Sequence, residues 1–106
     1  MRFARAAGVT AAVAVLALAA APLAGADADD DFLDALADGG LSFPPAAVDN
    51  VIGGGHSVCQ GWSAGDSYSD RVTDVAANIG GSQSLARIFV DAATNTLCPE
   101  YQSELP

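Results

Sequence analysis

The chain divides after residue 26, and that division sets how much of it is left to fold. Residues 1–26 carry two arginines, Arg2 and Arg5, and none of the acidic residues. An uncharged apolar run follows over residues 6–21, and Pro22 then breaks any helix. Ala24-Gly25-Ala26 places small side chains at the −3 and −1 positions of a signal-peptidase site. The pattern predicts a cleavable secretory signal peptide over 1–26, cut between Ala26 and Asp27. A retained anchor is the competing reading, since residues 6–26 are nominally long enough to span a bilayer. The run is rich in alanine and interrupted by Gly8, Thr10 and Pro22, so its transfer energy is weak. No cysteine stands near the site to carry a lipid. The expected product is exported, residues 27–106, with no stable membrane span after processing.

Those 80 residues hold all thirteen acidic residues against Arg71 and Arg87, a net charge of −11, and there is no lysine. About 42% of them are apolar, compared with 51% of the whole chain. That suffices for one small acidic domain with a modest core, a flexible acidic N-terminus and a short C-terminal tail. Nucleic acid is excluded as a partner, because phosphate neutralisation needs a cluster of cations.

Cys59 and Cys98 are the only cysteines. An even count in an exported chain reads as a disulfide. Closing a loop of about 40 residues stabilises by roughly 4 kcal/mol in the chain-entropy model, comparable to the net stability of a small domain. A redox pair would more often be Cys-x-x-Cys. A structural zinc needs four ligands where only Cys59, Cys98 and His56 are offered.

Apolar spacing and punctuation predict four short helices in an all-α bundle. The first begins near residues 29–31, whose carboxylates suit a helix N-terminus, carries Phe32, Leu33 and Leu36, and stops at Gly39-Gly40. The second runs from Pro45 or Ala46 to Trp62 with Val48, Val51, Ile52, Gly55, Val58, Cys59 and Trp62 on one stripe. Gly53-Gly54-Gly55 weakens that helix intrinsically while permitting close approach of a neighbour. The third is capped by Asp66, Ser67 or Ser69, carries Tyr68, Val72, Val75 and Ile79, and ends at Gly80-Gly81. The fourth starts at Ser82 or Ser84 with Leu85, Ile88, Phe89, Ala92 and Thr96 inward, and Pro99 limits it at Cys98.

The order Asp29-Asp30-Asp31-Phe32-Leu33-x-x-Leu36, Gly40-Leu41, Val58-Cys59, Phe89-Val90-Asp91-Ala92-Ala93 and Cys98-Pro99-Glu100-Tyr101 resembles a known family. It is the small secreted, chiefly mycobacterial, actinobacterial family numbered seven-three-two among domains of unknown function. The resemblance spans about residues 29–101. It implies a signal peptide, a short helical domain and a Cys59–Cys98 bridge, and it carries over no catalytic residues. Gly53-Gly54-Gly55 departs from the family's usual pattern.

Two motifs invite a stronger reading. Gly61-Trp62-Ser63-Ala64-Gly65 matches the G-x-S-x-G nucleophile elbow. That chemistry requires a strand before the serine and an acid and histidine after it, whereas His56 precedes Ser63 and the segment reads as helix. Asp27, Asp29, Asp31 and Asp38 stand at positions 1, 3, 5 and 12 of an EF-hand loop. Position 6, which must turn sharply on glycine, is Phe32, and position 12 lacks the bidentate glutamate. We therefore expect no catalytic residue, no metal site and no cofactor. His56 borders the apolar stripe of the second helix and reads as a half-exposed side chain with no ligand.

Trp62, Tyr68 and Tyr101 remain as the candidate contact surface, if exposed together. The functional expectation is a non-catalytic interaction module, extracellular or in the cell envelope, binding an unidentified protein or lipid. The alternatives are a carrier of apolar ligands such as lipids and, least favoured, a small hydrolase using Ser63.

Overall fold

A computed structural model describes residues 27–106, so the expected signal segment and Ala26 lie outside the described residues. Helix α1 covers residues 27–38. A 3₁₀ turn, Pro45–Ala47, leads directly into α2, Val48–Ser63. Helices α3, Tyr68–Asn78, and α4, Gln83–Leu97, follow, and a 3₁₀ segment, Pro99–Glu104, closes the domain. Among the described residues there is no strand, and no helix is long and apolar enough to cross a membrane. The all-α expectation holds. The second helix begins later than its apolar pattern suggests, because Pro44 is extended and Pro45 opens a 3₁₀ turn before the α-helix.

Local chemistry sets the helix ends. After α1, the Leu41 N–H donates to the Leu36 carbonyl at 2.8 Å and the Gly40 N–H to that of Ala37 at 3.0 Å, a Schellman closure that folds Leu41 back onto the core. α2 ends the same way, with Asp66 N–H on the Gly61 carbonyl and Gly65 N–H on that of Trp62, both at 3.0 Å. Gly65 takes φ +90°, which a side chain disfavours. Ser67 is the cap of α3: its hydroxyl accepts from the Asp70 N–H at 3.1 Å while its own N–H donates to the Asp70 carboxylate at 3.2 Å. Ser82 caps α4, accepting from the Leu85 N–H at 3.2 Å. The C-terminal segment is more ordered than a tail, since Pro99 starts a 3₁₀ run and Gln102 donates to the Asn95 side chain.

α4 is the central element, and α2 and α3 both pack against it while touching each other little. The core joins Phe32 and Leu36 of α1 to Val51, Val58 and Trp62 of α2, Val72 and Val75 of α3, and Phe89 and Val90 of α4. Phe32 meets Phe89 edge to face, with centroids 5.3 Å apart and planes at 87°. The run of glycines in α2 acquires a reason at Gly55. A Cβ there would lie 2.6 Å from the Phe32 ring and 2.8 Å from Leu97, so only glycine lets α1 and α4 close over α2 at that level. Cys59 and Cys98 are bonded, joining α2 to the end of α4 with Cα atoms 5.9 Å apart.

Candidate functional site

Because α2 and α3 leave a tight stop at Gly65 and both rest on α4, a groove opens between them. Its volume is about 480 Å³, within the range of small-ligand sites. One wall is the α2 row Val51, Gly54 and Val58, spaced as one helical face and continued by Ala47 at the end of the 3₁₀ turn. The facing wall is Arg71 and Val75 of α3 with Ile79 just past its end, Phe89 of α4 is the floor, and Phe43 of the α1–α2 connection lies at one end. Gly54 keeps the floor close, since a Cβ there would stand 3.2 Å from the Phe89 ring. Asn50, Ser57 and Asn78 are exposed polar groups on the lining.

The charged end of the groove is built around Arg71. Its Nη2 lies 2.6 Å from Asp66 Oδ2 and also pairs with Asp74 one turn ahead on α3. The side chain is only 12% exposed because it lies flat against the backbone of α2 at Gly61. A Cβ at Gly61 would overlap the guanidinium and its stem, so that glycine makes room for the arginine. Arg71 Nε is buried with no hydrogen-bond partner. One guanidinium shared by two carboxylates leaves this end of the groove with a net negative charge.

The sequence-derived candidates occupy other places. Trp62 is buried at 4% exposure, its indole N–H donating to the Thr94 hydroxyl at 3.0 Å. It is therefore a core residue and unavailable to a partner, which corrects its place in the expected contact surface. Its position on the inward stripe of α2 together with a buried hydrogen-bond acceptor decides this. Tyr68 is half-buried, its hydroxyl donating to Asp91 Oδ1 at 3.1 Å. Burial, reinforced by the Asp91 charge and hydrogen bond, raises the Tyr68 pKa above its usual 10.0, with Arg87 opposing. Tyr101 packs partly buried against the core. None of these three lines the groove, whose aromatic residues are Phe43 and Phe89.

Ser63 ends α2, exposed, its hydroxyl donating to the Gln60 carbonyl at 2.9 Å. His56 lies two turns back on the same helix, about 10 Å along the axis. Its Nε2 meets Asp29 Oδ1 at 2.8 Å, tying α1 to α2. The elbow motif is thus a helix terminus, with Gly65 as the left-handed stop and the serine hydroxyl bonded to a backbone carbonyl while His56 is held by Asp29. Asp27, Asp29, Asp31 and Asp38 belong to helical α1, where a periodic backbone replaces the loop an EF-hand requires.

Thr94 is the buried polar residue that sequence reasoning missed. It donates to the Val90 carbonyl at 2.7 Å while accepting from Trp62. Its signal was a threonine one turn after Val90 in a chain whose single tryptophan needs an acceptor.

Residues 28–100, from α1 past the second cysteine, match a family model described as "Protein of unknown function (DUF732)". No curated protein and no solved structure matches the chain.

Proposed function

The chain belongs to the DUF732 family of proteins of unknown function, and from that premise we propose that it is a non-catalytic interaction module working outside the cytoplasm. The observation that carries this reading is the apolar groove between α2 and α3, lined by Val51, Val75, Ile79 and Phe89 and open to solvent along one side. Apolar surface left accessible beside a polar rim is the usual mark of a site for another molecule. The Cys59–Cys98 bridge supports an oxidising compartment, extracellular or in the cell envelope, and so does the expected signal peptide. Ser63 and His56 hold separate partners, which favours binding over hydrolysis.

The groove's size also favours a carrier of small apolar molecules as the second reading. Titration with Nile red, an uncharged apolar dye, tests whether the groove accepts apolar matter at all. The expected result is saturable, blue-shifted emission that Ser57→Leu, which fills the lining, removes. Emission unaltered by that substitution contradicts a binding groove.

A further inference from the structure

We infer that the groove docks a basic amphipathic helical segment of a partner protein, with apolar side chains on Phe89, Val51 and Val75 and lysine or arginine toward Asp74. The inference rests on the groove being a docking surface, and adds the chemistry of its occupant. Three observations point to it. First, the groove contains one cation, Arg71, and both Asp66 and Asp74 already hold that guanidinium. A ligand carboxylate or phosphate would meet Asp74 with no free cation to receive it, which disfavours fatty acids and anionic lipids. Second, Asp74 is 62% exposed on the groove lining, so the rim presents a carboxylate to an incoming chain. Third, residues 27–106 carry a net charge of −11, so the long-range field favours a cationic partner before contact. The walls are faces of two helices that touch each other little and both rest on a third. That shape suits an apolar helical face entering the groove.

The test uses the purified protein and two synthetic helical peptides. One repeats leucine and lysine in an amphipathic pattern, and the other has glutamate at every lysine position. NMR of the Val51, Val75 and Ile79 methyl groups locates binding, and titration gives affinity. The lysine peptide is expected to shift those methyls, and the glutamate peptide is not. Asn50→Arg, on the exposed lining, should weaken the lysine peptide about tenfold and admit the glutamate peptide. Asp34→Arg changes the charge by twice as much, away from the groove, and should still leave the methyl shifts in place with little loss. Asp74→Asn should cost about threefold, the scale of an exposed ion pair. The burial of Trp62 serves as a check that each variant is folded. Glutamate peptide or palmitate binding the groove as tightly as the lysine peptide overturns the charge inference while leaving the groove intact. Lysine-peptide binding that shifts other residues, or that both arginine variants weaken equally, overturns the groove as well.

Discussion

The Trp62 indole N–H donates to the Thr94 hydroxyl at 3.0 Å inside the core, and that hydroxyl donates onward to the Val90 carbonyl at 2.7 Å. The two residues are 32 positions apart and join α2 to α4 near the centre of the domain. Replacing Thr94 with valine keeps the shape and leaves the indole N–H without a partner. We expect Thr94→Val to destabilise by about 1–3 kcal/mol, the cost of a buried unsatisfied donor, and Thr94→Ser to retain more of the stability. Denaturant unfolding followed by Trp62 emission measures both. Equal stabilities for the valine variant and the parent would show that the bond contributes nothing net.

The glycine run in α2 makes a prediction of opposite signs at neighbouring positions. Gly53 faces open space, so Gly53→Ala should stabilise by roughly 0.5–1 kcal/mol through helix propensity. Gly55 lies under Phe32 and Leu97, so Gly55→Ala should destabilise by about 1–3 kcal/mol through overpacking. Thermal unfolding of the two variants side by side decides it. The same sign for both would contradict the close approach of α1 and α4 over Gly55.

These two cases mark what could be read from sequence alone. Helix ends were legible to within a few residues because their determinants are local: Ser67 among three candidate caps, Ser82 of two, Gly40 before Leu41, and Pro99 after Cys98. The inward stripes of α2 and α3 were legible from periodicity, and so was the one bridge two cysteines can form. On α4 only Phe89 and Ala92 of the expected stripe are buried, and Ala86, Val90, Ala93 and Thr94 take the other inward places. Thr94, Gly61 beneath Arg71, and the His56–Asp29 tie were not legible, since each depends on which helix lies opposite. Trp62 was offered as contact surface only if exposed, and its place on the apolar stripe of α2 already pointed to the buried position it takes. The groove was invisible as well. It arises because α2 and α3 both pack on α4 while touching each other little, a tertiary relationship with no local signature.

The disulfide should dominate stability. Cys59 and Cys98 are 39 residues apart, and replacing both with serine should lower the unfolding free energy by about 4 kcal/mol. Thiol titration of the native protein should find no free cysteine. A loss well under 1 kcal/mol would mean that helix packing alone holds α2 to the end of α4.

Tyr68 sets a dependence on alkaline pH. Its pKa is raised in the folded state, first by burial and then by Asp91, so the native protein holds the phenolic proton more tightly than the unfolded chain. That contribution is complete below the ordinary value of 10.0 and is lost as pH rises through the raised folded value. Stability should therefore fall between pH 10.0 and the raised folded value and level off above it, and Tyr68→Phe should flatten the fall. An unchanged slope in the phenylalanine variant would remove Tyr68 as its source.

The central claim is that the groove between α2 and α3 is where this protein meets another molecule. A photo-crosslinking residue at Ser57, on the lining, compared with one at Asp34, on the exposed face of α1, tests it most directly in the cells that make the protein. A discrete adduct is expected from position 57 alone, lost when Asn50→Arg is added. No adduct from position 57, or the same adducts from both positions, would contradict it.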